Sequence, residues 1–253
     1  MSGASLIGPS TQNRLLDSLP QAIYQRLRPE LKAVHLSRGK TICEADDWTR
    51  YVYFPVSGVI TLLLTTGQGE TIEAAVIGNE GTTGVPVLMH SRRMPYRAVV
   101  QVPVDALRVE ASFICGELKE ANGLNDVLLC YEYSLLTQVA QSVVCSRFHT
   151  SDQRLCRWLL SIRDRVPTDT LELTQEALSY LLGVQRSMVG ASACELQRAG
   201  MISYGRGSIT ILDRQGLEAA ACECYAIVKD QICQCLFAKP LTQDPSQQRT
   251  PAR

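Results

Sequence analysis

Gln185, Arg186 and Ser187 follow directly on Gly183-Val184, and Gly190 and Ala191 come one helical turn later. An amide, a guanidinium and a hydroxyl can reach the acceptor edges of bases and the oxygens of phosphates. That chemistry needs the side chains held out on one helix face while the opposite face is buried. Residues 171–213 supply such a frame. Thr174 can cap a short helix in which Leu178, Leu181 and Leu182 are apolar, and Gly183 suits the tight turn after it. Val184 and Val189 should point inward, Leu196 should close the second helix, and Gly200 should end it. Thr174 and Gln175, at the start of the first helix, are expected to touch phosphates. Met201-Ile-Ser-Tyr204 and Ser208-Ile-Thr-Ile-Leu212 then read as a hairpin with Arg206 at its tip, between Gly205 and Gly207. Helices paired with a hairpin also occur in domains that bind no DNA. An exposed arginine in each of two elements favours a winged helix-turn-helix with its second helix in the major groove.

Other chemistries are poorly supported. His35, His90 and His149 are scattered, and no H-x-H or paired carboxylates appear at metal spacing in the strand region. A nucleophile elbow, a phosphate loop and a dinucleotide fingerprint are all missing, so no catalytic residues are assigned and an enzyme is not expected. The ten cysteines include the C-x-C pairs Cys222/Cys224 and Cys233/Cys235. On a continuous helix, residues two apart diverge by about 200°, so one metal would require the helix to break. Most of the cysteines are therefore expected to be small buried apolar residues, and no metal set is assigned. Cys130, Cys145 and Cys156 lie on or beside a long helix, where a thiol could sense oxidants.

The elements that must position the helix pair can be traced along the 253 residues. The chain is 45% hydrophobic and 20% charged, with a formal net charge of zero, and no apolar run suggests a membrane span. Met1 to Ser10 has no basic start followed by an apolar core, so a secretory signal is not expected. Basic and acidic residues are equal in number from Ser151 to Asp213, so the DNA reading rests on the motif and on charge placement. Residues 1–29 read as helices split by Pro20. Residues 30–118 read as short strands with glycine-rich turns, a barrel or sandwich: a hairpin turning at Thr66-Gly-Gln-Gly69, then strands at Ala98–Val102 and Ala106–Val109. Residues 119–150 hold a long helix in which Leu124, Leu128, Tyr131, Leu135, Val139 and Val143 form an apolar stripe. It either lies on the barrel or pairs with its copy in a second subunit, and the expectation of a dimer rests on it. Ser151 can cap a following helix that buries Leu155, Trp158, Leu159 and Ile162. Residues 151–240 then carry the DNA-binding domain, and 241–253 read as a disordered tail.

This order of elements resembles the Crp/Fnr regulators from Asn13 to Leu236. The motifs that carry the likeness are Val52-Tyr-Phe-Pro-Val-Ser-Gly58, Ile77-Gly-Asn-Glu-Gly81, Leu155-Cys-Arg-Trp-Leu-Leu160, Leu173-Thr-Gln-Glu176 and Ala221-Cys-Glu-Cys-Tyr225. The last two resemble one subgroup in particular. The resemblance implies an α+β chain: a cyclic-nucleotide-binding-like β-barrel (a double-stranded β-helix), a long dimerisation helix and a C-terminal winged helix-turn-helix. It also implies a cytoplasmic homodimer acting on inverted repeats in promoter DNA, with RNA polymerase as a partner.

In members that bind cyclic nucleotides, a Gly-Glu turn and a following Arg-Ser pair hold the ribose and phosphate. Here Gly78, Glu80 and Gly81 fall in that turn and Arg97 near the arginine position. Asn79 interrupts the turn, and Ala98 replaces the phosphate-binding hydroxyl. Cyclic nucleotide binding is therefore not expected. Another small anion, or no ligand with Glu80 and Arg97 forming a structural ion pair, fits better, and no cofactor is assigned. The oxygen-sensing members use clustered N-terminal cysteines, whereas only Cys43 precedes Cys115 here. Two alternatives remain: a ligand- or redox-responsive module acting through a protein partner, and a barrel enzyme.

Overall fold

The computed structural model describes residues 11–84, 93–120, 123–205 and 207–237. Two short helices open the chain, α1 (Arg14–Asp17) and α2 (Gln21–Leu27), on either side of Pro20. The buried Asn13 caps α1 by accepting from Leu16 N. Its amide also donates to Pro55 O at 2.7 Å and Gly81 O at 2.9 Å, which ties α1 to the sheet.

The sheet is antiparallel: β1 (Lys32–Leu36), β2 (Thr41–Cys43), β3 (Tyr51–Thr65), β4 (Thr71–Ile77) and β5 (Arg97–Glu110), in the order β1-β5-β3-β4 with β2 also on β5. The expected hairpin is β3–β4, turning where Gly69 N donates to Thr66 O. The two strands expected at 98–102 and 106–109 are one strand, β5, which runs through Pro103. Pro103 is tolerated because the register with β3 shifts between Pro55 and Ile60, leaving it without a β3 partner. Gly58, at φ +84°, fits this irregularity, since a Cβ there would run into the Pro103 carbonyl.

The expected barrel does not close. Among the described residues the strand path is open, and its β4 end is covered by a helix. In that helix, α4 (Leu124–Phe148), Gln138 accepts from Val76 N at 2.8 Å and donates to Val76 O, and Ser142 donates to Ala74 O. Side-chain amide and hydroxyl groups thus satisfy an edge that another strand would otherwise pair. Between sheet and helix lies α3 (Ala111–Glu117).

α4 is apolar on two faces. Leu124, Leu128, Tyr131 and Leu135 are buried in the core of their own sheet, with Val139 partly buried against it. The stripe expected to form a dimer seam is therefore mostly an intramolecular contact. Leu129 (50%), Tyr133 (59%), Leu136 (63%) and Ala140 are exposed instead, and so is Val143 (65%), the last member of the expected stripe. Their spacing of four, three, four and three residues is that of heptad a and d positions.

After α4 the chain turns through His149 and Thr150 into α5 (Ser151–Arg163). Thr150, rather than Ser151, is the N-cap, in a capping box with Gln153. Leu155, Trp158, Leu159 and Ile162 are buried as expected. Then come β6 (Thr170–Glu172), α6 (Gln175–Leu182), α7 (Arg186–Arg198), β7 (Ile202–Gly205), β8 (Ser208–Ile211), α8 (Arg214–Ala220) and α9 (Cys224–Phe237). β6 was not anticipated; it makes the wing a three-stranded sheet ordered β6-β8-β7. The core of this C-terminal part also takes in Val59 and Val76 from the first sheet, so the two parts share apolar packing.

Candidate nucleic-acid interface

The helix pair is built as its residues require. Thr174 Oγ1 caps α6 by accepting from Ala177 N at 3.1 Å. Gly183 ends α6 in the left-handed region, at φ 59° and ψ 44°. Gly183 also permits a close approach, since a Cβ there would lie 2.7 Å from Ile72 Cδ1 on β4. Arg154 of α5 donates to the Leu182 carbonyl at the same corner. The inner face of α7 buries Val189, Ser192, Ala193 and Leu196. At its far end Gln197 accepts from Tyr204 N at 2.7 Å, which fixes the wing against α7.

Gln185, Arg186, Ser187 and Ala191 are exposed on α7 and its N-cap, as the sequence suggested. Gly190 is only half exposed, with room for a Cβ 3.4 Å from the Gln175 amide; it seats the start of α6 against α7. Sequence reasoning missed Met188 and Cys194, which are also exposed on α7, Cys194 three residues beyond Ala191. The first turn of α7 has no acidic residue and Gln185 makes no side-chain cap, so its terminal N–H groups remain available to an anionic partner. The Arg198–Glu195 ion pair of α7, at 2.6 Å, lies at the opposite end. Arg206 lies outside the described residues.

The turn at Gly78, Glu80 and Gly81 is occupied by the protein itself. Glu80 pairs with Arg165 at 2.7 Å, each side chain only 6% exposed, and accepts from Gly78 N as well. A Cβ on Gly78 would strike Arg165, and one on Gly81 would strike Tyr131. Arg97 is elsewhere, exposed and bonded to Glu44 at 3.3 Å and Thr41 at 3.0 Å. The expected Glu80–Arg97 pair is thus replaced by Glu80–Arg165, because Arg165 comes in from the end of α5 and fills the turn. Beside this pair is a cavity of about 240 Å³ bordered by Asn79, Glu80, Asp164, Arg165, Tyr225 and Lys229.

Two of the three thiols considered for oxidant sensing are poorly suited to it. Burial raises Cys156 to about 11, and burial together with Cys235 raises Cys130 to about 12, so neither is a thiolate at neutral pH. The third, Cys145, belongs to a group the sequence did not assemble: it meets His149, Cys222 and Cys224 at the end of α4. The C-terminal Tyr225 donates to Asp164 at 2.8 Å and accepts from Arg214 at 2.9 Å, which holds α9 to α5. Among the described residues, no helix is long and apolar enough to cross a membrane.

A sensor sheet, a long helix and a winged helix with an exposed reading face define a DNA-binding transcription regulator. Comparison with known proteins agrees. Residues 33–116 match the cyclic nucleotide-binding domain and residues 153–220 the Crp-like helix-turn-helix domain. The global nitrogen regulator of Synechocystis sp. is 28% identical over 213 residues, covering 79% of this chain and 93% of that protein. That of Synechococcus elongatus is 27% identical, covering 72% and 86%. Among solved structures, a crp/fnr-family regulator from Eubacterium rectale shares the fold with a TM-score of 0.64 at 18% identity, covering 83% of this chain and 99% of that one. FixK2 from Bradyrhizobium japonicum does so with a TM-score of 0.62 at 16% identity, covering 76% and 98%. The two domain matches and the shared fold support a regulator of the Crp/Fnr type.

Proposed function

We propose that this regulator works in the cytoplasm as a homodimer paired along α4, with each α7 in a major groove of an inverted-repeat promoter site and RNA polymerase as its downstream partner. The observation that carries the dimer is the exposed stripe Leu129, Tyr133, Leu136, Ala140 and Val143. Apolar residues at a and d spacing over three helical turns are costly in water and pair well with their own copy. Two-fold pairing places two copies of α7 where DNA symmetry requires them, at half-sites about 34–36 Å apart. Within each copy Gln185, Arg186, Ser187 and Ala191 face the bases, Thr174 and Gln175 meet phosphates, and Arg206 on the wing meets another.

Leu136→Glu tests this reading. It places a charge on the seam and leaves the buried face of α4 untouched. The expected result is monomer by sedimentation equilibrium, native far-ultraviolet circular dichroism, and loss of binding to a full inverted repeat. An unchanged dimer would move the interface elsewhere.

The first sheet carries the sensing role of its domain class. The Gly78–Gly81 turn is filled by Arg165 and Tyr131, and Arg97 lies apart from it. Those observations support a sensor that does not take cyclic nucleotide in this arrangement. Calorimetry with cyclic AMP should show no micromolar binding; such binding would mean that the turn opens and recruits Arg97.

A further inference from the structure

Four side chains away from the DNA-reading face converge at the joint between α4 and α5. Cys145 comes from the last turn of α4, His149 is the residue that leaves it, Cys222 lies in the gap between α8 and α9, and Cys224 opens α9. Three thiol sulfurs and one imidazole nitrogen lie within 4.8 Å of one another. Cys145 Sγ is 3.6 Å from Cys222 Sγ, and Cys224 Sγ is 3.6 Å from His149 Nδ1. Zinc binds thiolate at about 2.3 Å and imidazole at about 2.0–2.1 Å. Two ligands on one tetrahedral ion therefore sit roughly 3.5–3.8 Å apart. We propose that Cys145, His149, Cys222 and Cys224 form a Cys3His site for a zinc ion.

The backbone explains how a C-x-C pair can serve one metal. On a continuous helix the two thiols would diverge, but α8 ends at Ala220 and α9 begins at Cys224, so Cys222 lies in the break. The cysteines are buried and the His149 side chain is only 12% exposed, which leaves no open position for a reacting water. A closed set of four protein ligands is the mark of a structural site. The second shell fits as well. Glu223 Oε1 lies 3.2 Å from His149 Nε2, so the carboxylate orients the ring with Nδ1 toward the sulfurs. Three thiolates and a divalent ion leave one negative charge, and Arg157 interacts electrostatically with Cys145 from the neighbouring α5. With the ion in place, the end of α4, its exit residue and the root of α9 become one rigid node. The site therefore fixes the direction in which the DNA-binding part leaves the long helix, independently of whether α4 pairs two subunits.

The test uses the full-length protein, purified under reducing conditions without chelator. Mass spectrometry of its metals should find close to one zinc per chain. After chelator treatment, titration with cobalt(II) should give the visible bands of a tetrahedral ion and a sulfur-to-cobalt charge-transfer band. In competition with a chromophoric chelator, Cys222→Ser should lose more than 100-fold in zinc affinity, and Cys115→Ser should lose nothing. Glu223→Gln should weaken binding about 10–100-fold while keeping the cobalt bands. If Cys222→Ser does not fold, peptide mapping of the wild type decides: Cys145, Cys222 and Cys224 should resist iodoacetamide until chelator is added. Protein that carries no zinc, gives no sulfur–cobalt band and alkylates equally with and without chelator overturns the site. So does a folded Cys222→Ser variant that keeps wild-type affinity.

Discussion

The Trp158 indole N–H donates to Glu73 Oε1 at 3.0 Å, joining α5 of the DNA-binding part to β4 of the sensor sheet through a buried carboxyl. Burial pushes that carboxyl up to about 7, against the smaller opposing pull of Trp158, Arg157 and Thr61. In the unfolded chain it ionises near 4.5. Between these values the folded protein holds a proton that the unfolded chain has released. The group's contribution is therefore fully present below about 4.5, falls as pH rises, and is lost above about 7. The whole difference corresponds to roughly 3 kcal/mol. Glu132, also raised to about 7 by burial, acts in the same direction, so the comparison with Glu73→Gln isolates one group. Glutamine can still accept from Trp158 and can donate to Thr61. Urea unfolding of Glu73→Gln should show a flatter decline between pH 5 and pH 7 and greater stability than wild type at pH 8. An unchanged pH slope would remove Glu73 from the account.

Glu80 and Arg165 make a second bridge between the two parts, and here removing a single charge should cost stability. Both ends are almost wholly enclosed, so removing one leaves a charge without its partner. Arg165→Met is expected to cost about 3–5 kcal/mol. The double variant Glu80→Gln, Arg165→Met should recover much of that loss, because no buried charge remains. Unfolding free energies of the three variants against wild type measure the coupling. Additive losses would show that the pair is not a unit.

The two faces of α4 can be separated with adjacent residues. Leu135 is 7% exposed against the sheet core and Leu136 is 63% exposed on the opposite side. Leu135→Ala should lower unfolding stability by about 2–5 kcal/mol without loosening self-association. Leu136→Ala should weaken association, seen by sedimentation equilibrium, with little change in unfolding measured at concentrations low enough that both proteins are monomeric. The reverse pattern would return the seam to the face the sequence first suggested.

That reversal shows where sequence reading stops. Period and capping are local, so Thr174, Gly183 and the inward Val189 could be placed from their neighbours alone. α4 carries two apolar stripes with similar spacing, and nothing within the helix says which meets the sheet. The choice is made by Gln138 and Ser142, whose hydrogen bonds reach Val76 and Ala74. Glu80 was legible as the acid of a turn, but its partner Arg165 is 85 residues away and no local pattern joins them. The motif Ala221-Cys-Glu-Cys-Tyr225 was visible as a string, and its chemistry appears only when the helix breaks before Cys224. Cys222 and Cys224 then face His149 and Cys145, Glu223 holds the His149 ring, and Tyr225 anchors α9 to Asp164.

The last expectation concerns the DNA-reading face. Arg186 is exposed at the first position of α7, with no acidic residue in that turn. A guanidinium there can donate two parallel hydrogen bonds to O6 and N7 of a guanine in the major groove. Losing such a pair typically costs about 1–3 kcal/mol and relaxes the base preference at one position of each half-site. Arg206, assigned to a phosphate, should differ in kind. Its loss should weaken all sequences alike and reduce the salt slope by about one unit per subunit. Binding-site selection with wild type, Arg186→Ala and Arg206→Ala, followed by titrations at several salt concentrations, distinguishes base reading from charge. Arg186→Ala should select sites that keep inverted symmetry and lose one conserved guanine per half, while Arg206→Ala should select the wild-type sequence at lower affinity. Full base preference in Arg186→Ala would take the reading role from this residue and direct attention to Ser187, Ala191 and Cys194 further along the same helix.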